Sequence, residues 1–135
     1  MKDIKFRLWD GKRMCKVELW DFRNNGVDIR GEDGKGRYLE LGHEVNIMQF
    51  TGFKDMGGKD IYEGDILRFE RGNIAPIVFR LGCFFVGHND IDFEDDDTPL
   101  GEFVDGYPTA KFEVVGNLYE NAELITSKGE RNART

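Results

Sequence analysis

The sequence predicts an all-β domain, a small barrel-like meander that ends in a short helical turn. Three observations carry that expectation. Glycine supplies 17 of 135 residues and proline only three, against an average of about 7% glycine, so the chain is rich in tight turns. Eleven Phe, four Tyr and two Trp accompany them, and aromatic residues suit a pleated, half-buried surface. Apolar residues recur with period two along most of the chain, whereas helical periodicity is almost absent. The length lies within the range of about 100 to 200 residues for one domain, and a chain near that size buries roughly 68 to 70% of its unfolded surface.

Taken in order, Ile4, Phe6 and Leu8 alternate with Lys5, Arg7 and Trp9, the pattern of a strand with one buried face. Asp10-Gly11-Lys12 turns the chain into a second strand, Met14 to Trp20. An Asn25-Gly26 turn leads to Val27 to Arg30, and glycines 31, 34 and 36 precede Tyr38 to Leu41. Val45 to Thr51 reads as a strand. Gly57-Gly58 then reads as a two-residue hairpin loop needing positive φ, between Lys54-Asp55-Met56 and Lys59-Asp60-Ile61-Tyr62. After Glu63-Gly64-Asp65, Ile66 to Glu70 resumes, Arg71-Gly72-Asn73 turns, and Pro76 limits what precedes Ile77 to Leu81. Gly82 separates that strand from Cys83 to Val86. Ile91 and Phe93 alternate with acids as in a solvated edge strand, and Asp95 to Gly106 reads as a loop. Lys111 to Leu118 is the last strand, and Asn121 to Leu124 has the capping residue and early acid of one closing helical turn. The reading is a single domain over 1–125, with a division, if there is one, near residue 45, and a polar tail over 126–135 expected to be disordered.

The net charge of -7 is local in origin. Asp90 to Asp105 carries eight acids and no Lys or Arg, and removing those eight leaves 18 acidic against 19 basic residues. This argues against nucleic acid as a partner, since phosphate contacts need a basic face. Met1 to Asp10 mixes charges with single apolar residues, unlike a signal peptide or a membrane span, so the expected location is the cytoplasm. Cys15 and Cys83, the only cysteines, are expected there as thiols.

Three stretches together resemble the YopX family of phage and prophage proteins. They are Lys5-Phe6-Arg7-Leu8-Trp9-Asp10, then Gln49-Phe50-Thr51-Gly52-Phe53-Lys54-Asp55 through Gly58-Lys59-Asp60-Ile61-Tyr62-Glu63-Gly64-Asp65-Ile66, and finally Val115-Gly116-Asn117-Leu118-Tyr119-Glu120-Asn121-Ala122-Glu123-Leu124. Val78-Phe79, Gly82 and Phe84 match the family's central strand, glycine and aromatic. Ala122 stands where the family often has proline, and Gly57 where an Asn often precedes the turn glycine. The resemblance implies a mainly β fold and carries no established activity with it.

Of the candidate sites, Asp90-Ile91-Asp92-Phe93-Glu94 alternates oxygen ligands like a calcium loop. It has Asp95 and Gly101 where such a loop needs glycine and a bidentate Glu, so a solvated acidic loop is the better reading. His43, His88, Cys15 and Cys83 lack the paired spacing of a zinc site, and no acid is placed to orient a Cys/His pair. Glycines 52 to 58 with Lys59 do not match a phosphate-cradling loop, because Asp60 stands where Ser or Thr must. The richest polar cluster is Lys54, Asp55, Lys59, Asp60, Tyr62, Glu63 and Asp65 around the hairpin, the candidate interaction surface. Its first reading is structural, with charges paired across the hairpin, a bulge at Gly64, and Asp65 accepting turn amides as in SH3-like barrels, the character expected of the second half. Asn117, Glu120 and Asn121 read as caps and turn bonds.

The expected function is therefore that of a non-enzymatic accessory protein, with no cofactor and no metal, which binds an unidentified protein or itself and does not engage a membrane. The alternative is a nucleic-acid-binding barrel with Lys54, Lys59, Arg68, Arg71 and exposed aromatics along one face. A third reading is an enzyme whose site is assembled from distant residues.

Overall fold

In the computed structural model, described over residues 4–42, 45–70, 72–80, 82–87, 98–100 and 111–125, the chain divides into two compact units, Met1–Phe50 and Thr51–Thr135. The boundary falls five residues beyond the position read from the sequence, inside a strand rather than before one. Eleven antiparallel strands and one helical turn at 122–125 make up the described regular structure, so the all-β class holds.

The first unit contains β1 (Phe6–Trp9), β2 (Met14–Asp21), β3 (Gly26–Arg30), β4 (Gly36–Glu40) and the opening residues of β5 (Asn46–Lys54), in the order β4-β3-β2-β1-β5. Leu8 lies opposite Cys15 on one side and Ile47 on the other. Leu8, Cys15, Val27 and Ile29 are buried, with Val17, Trp20, Leu39, Leu41, Val45 and Ile47 packed against them. A bulge between Val17 and Leu19 shifts the register of β2 against β3. The extra residue puts Val17 and Trp20, three apart, on the core face and turns Leu19 outward.

Local polar bonds make the turns. The Asp10 carboxylate accepts from the amides of Lys12 at 2.8 Å and Arg13 at 2.7 Å, so the expected Asp10-Gly11-Lys12 turn forms. After β2 the left-handed residue is Asn25 (φ 52°), while Gly26 already belongs to β3. Gly26 is required for space: a Cβ there would lie 1.9 Å from the Tyr38 hydroxyl, whose ring covers it.

The second unit contains the rest of β5 with β6 (Asp60–Tyr62), then β7 (Asp65–Phe69), β8 (Ile74–Arg80), β9 (Cys83–Val86), β10 (Thr98–Pro99) and β11 (Phe112–Asn117), the last five in the order β10-β9-β8-β7-β11. Ile61, Leu67, Ala75, Ile77, Val86, Leu100 and Phe112 form its core. The pairing is that of open antiparallel sheets rather than the small barrel that the sequence suggested, and the Met56 amide donates to the Phe112 carbonyl at 3.1 Å.

Two sequence expectations need correction. Pro76 sits within β8, opposite Ile66. Its carbonyl accepts from the Gly87 amide at the last rung of the β8–β9 ladder, so the N–H it lacks would have served only that end. Thr98 and Pro99, read as loop, pair with Val86 and Phe85, and Leu100 is fully buried. The rest of the acidic segment, the edge strand expected at Ile91 and Phe93, and the 126–135 tail lie outside the described residues.

Candidate functional site

The hairpin cluster is built around Asp55. The Asp55 amide donates to the Lys59 carbonyl and the Gly58 amide donates to the Asp55 carbonyl. Only Gly58 has positive φ, 87°. The expected two-residue loop is therefore a three-residue one, Met56-Gly57-Gly58, a type I turn followed by a left-handed glycine. Oδ1 of Asp55 accepts from the amides of Gly57 at 2.9 Å and Lys59 at 2.8 Å, and Oδ2 from that of Val114 at 2.9 Å. Its carboxylate thus holds both its own turn and the neighbouring β11. Burial raises its pKa, but the three amides and the Lys59 charge outweigh that and hold it below the ordinary carboxylate range.

Across the hairpin Lys54 Nζ lies 2.5 Å from Asp60 Oδ1. Asp65 is only 1% exposed and accepts from the Tyr62 amide at 2.8 Å, closing the turn through half-buried Glu63 and left-handed Gly64. Gly64 in turn donates to Ile77 and accepts from Leu118, which ties this turn to β8 and β11. Buried Asn117 organises the chain end: its Oδ1 accepts from the amides of Tyr119 and Glu120, and its Nδ2 donates to Glu120. Asn121 does not cap the helical turn with its side chain, as the sequence suggested. Its Oδ1 accepts from the Asn117 amide, and a Cβ on Gly116 would lie 2.5 Å from that oxygen.

Of the seven predicted surface residues, the structure thus gathers Lys54, Asp55, Lys59 and Asp60 at one hairpin and Tyr62, Glu63 and Asp65 at the next turn. The carboxylates of Asp55, Asp60 and Asp65 all bond groups of the chain itself. Among the basic residues of the nucleic-acid reading, Lys54 pairs with Asp60 and Arg68 with Glu113; Arg71 is outside the described residues.

The first unit holds features that motif reading did not single out. Phe22, 79% exposed, stacks on Trp20 at 5.0 Å, and Trp20 meets Phe6 edge-on at 5.1 Å. Leu19 on the outer face of β2 is 58% exposed. The signal for this was available in Trp20-Asp21-Phe22, a turn entry that carries an aromatic where a polar residue is usual. A cleft of about 240 Å³ lies among Arg13, Cys15, Asp33, Lys35 and Arg37. Two of these residues pair with Asp10, Arg37 closely and Arg13 at 4.0 Å. Burial and the Asp10 charge push the Cys15 thiol up, which keeps it protonated and a poor nucleophile. Among the described residues no group of three or more His, Cys, Asp or Glu is placed to hold a metal ion, and no helix is long and apolar enough to cross a membrane. His43 and His88 lie outside those residues.

A family model described as YopX protein matches residues 5–126. The chain is also similar to a solved structure, protein EF1440 from Enterococcus faecalis, with 29% sequence identity and a TM-score of 0.61, covering 93% of this chain and 99% of that one. No curated protein matches the chain.

Proposed function

The chain belongs to the YopX protein family, and on that premise we propose that it is a non-enzymatic phage or prophage accessory protein that works by binding another protein or a second copy of itself. The observation that carries this reading is the ladder Phe6–Trp20–Phe22, in which Trp20 packs on the first unit's core, meets Phe6 edge-on and carries a phenyl ring that stands in solvent. Single exposed apolar residues are ordinary, but a phenyl ring stacked on a tryptophan that Phe6 braces in turn has already lost part of the side-chain freedom that binding would otherwise cost. Covering Phe22 would contribute about 1.5–3 kcal/mol. The hairpin cluster supports the same reading indirectly, since its carboxylates already serve the fold. We rank nucleic acid second, a choice that the pairing of Lys54 and Arg68 with acids supports. Both cysteines are free thiols, which suits the reducing cytoplasm as the place of action.

The test compares the wild-type chain with Phe22→Ser by sedimentation and by affinity capture from nuclease-treated host lysate. The expected result is self-association or capture of a nuclease-resistant protein by the wild type, lost in a variant with an unchanged melting temperature. Capture that disappears with nuclease treatment would move the nucleic-acid reading to first place.

A further inference from the structure

The outer edge of β4 is open. In the β3–β4 ladder the amide of Leu41 donates to the carbonyl of Asn25 and that of Gly31 to Lys35, and the register between them pairs Val27 with Leu39 and Ile29 with Arg37. Antiparallel pairs alternate, so Lys35, Arg37 and Leu39 turn their backbone groups toward β3, and Gly36, Tyr38 and Glu40 turn theirs away from it. β4 is the last strand on its side of the sheet, and Gly36, Tyr38 and Glu40 are all exposed. Three N–H and three C=O groups therefore line up at the edge, with no described strand beside them.

The side chains say which strand would fit. On the outer face Asp28 stands opposite Tyr38 and Gly26 opposite Glu40, with the Tyr38 ring laid over Gly26. Partial burial, and then the charges of Asp21, Glu40 and Asp28, raise the pKa of the Tyr38 phenol. Asp21 is occupied by the amides of Arg23 and Asn24, and Glu18 pairs with Arg30 at 3.0 Å. Asp28 and Glu40 make no ion pair with any described cation. An edge strand is normally blunted by charges, Lys above all, or by Pro; this one presents an aromatic ring between two acids that no described cation compensates.

We infer that the β4 edge takes up an extended segment of a partner protein by strand addition, and that the segment carries Lys or Arg at alternate positions facing Tyr38, Asp28 and Glu40. The added strand would satisfy the outward groups of Gly36, Tyr38 and Glu40, and its basic face would neutralise the two acids. This rests on the protein-binding reading above and names the chemistry of the bound segment.

The probe is a seven-residue blocked peptide of alternating Lys and Val, titrated against the full chain at near-physiological salt and followed by amide hydrogen exchange. Binding should slow exchange at Gly36, Tyr38 and Glu40 and leave Arg37 and Leu39, already bonded to β3, unchanged. Glu40→Pro removes an outward N–H together with one of the two acids, without touching the β3 ladder, and should weaken binding roughly fivefold to tenfold or more at an unchanged melting temperature. Asp28→Asn should weaken it by a smaller factor. The same peptide N-methylated along one edge keeps its charge and loses its donors, so it should not bind; this arm needs no protein variant. Equal binding of the methylated peptide, or binding without protection of the three amides, would reduce the effect to charge attraction and overturn the inference. No binding of either peptide would also overturn it, while leaving the protein-binding reading to the Phe22→Ser comparison, which does not involve β4.

Discussion

Asp55 accepts from three backbone amides, two in its own hairpin and one on β11, so its carboxylate acts as a joint in the second unit. Asparagine is nearly its shape, yet its NH₂ would have to face one of those N–H donors. Asp55→Asn should therefore cost about 1–3 kcal/mol, read from thermal or urea melts. The pH dependence follows from the carboxyl being held below its ordinary range in the folded chain. A folded pKa below the unfolded one contributes stability that is fully present above the unfolded value, near pH 4, and that is lost as pH falls through the folded value. The gap between wild type and Asp55→Asn should thus be constant around neutrality and shrink on acidification below about pH 4. A gap that stays constant at low pH would show that shape, not charge, accounts for the loss. Lys54 behaves differently. Its side chain is 59% exposed in the pair with Asp60, and exposed pairs contribute about 0–1 kcal/mol, so Lys54→Glu should melt close to wild type.

At the scale of elements, the strands were legible because their chemistry is local. Leu8, Val27 and Ile29 alternate with polar neighbours, and the pleat turns that alternation into one buried face. Turn geometry was less legible, since two adjacent glycines at 57 and 58 suggest two left-handed residues when the loop uses one. A left-handed glycine recurs at Gly34 and Gly72, each two residues before the next strand, each with its amide bonded three residues back. Gly58→Val should therefore destabilise by about 1–2 kcal/mol or more, because a β-branched side chain is forced toward φ of 87°. Gly57→Ala should be close to neutral, since the nearest non-adjacent atom to a Cβ there is the Asp55 carboxylate at 3.5 Å. Equal losses at both positions would return the loop to the two-glycine form. Leu100 was not legible at all. It is an isolated apolar residue after a run of acids, and its burial depends on β10 pairing with β9, a contact that no local pattern encodes. The candidate site was legible as a cluster of polar residues, but their partners were not, because the Asp55–Val114 bond spans 59 residues.

At the scale of the whole chain, composition suggested one domain, while the fold separates into two units, each with its own core. Those cores differ in a way that exposure to solvent should reveal. The first unit buries Leu8, Cys15, Val27, Ile29, Met48 and Phe50 and leaves Phe22, Leu19 and Tyr38 substantially exposed. Among the described residues the second buries nine apolar side chains, including Ile66, Leu67, Ile77 and Phe112, and is braced by the backbone bonds of Asp55, Asp65 and Asn117. Stability follows buried apolar area, and local opening reports it unit by unit. Both tryptophans, Trp9 and Trp20, belong to the first unit, so intrinsic fluorescence follows that unit alone. The fluorescence transition in urea should fall at a lower midpoint than the loss of far-UV signal that follows both units. Amides of Val27 and Ile29 should exchange with a smaller opening free energy than those of Leu67 and Ile77. The opposing argument is β5, one strand whose first residues pair with β1 and whose later residues belong to the second unit. If coupling through that strand dominates, the two midpoints coincide and the four amides share one opening free energy. The chain would then fold as the single cooperative domain that its length suggested, despite its two cores.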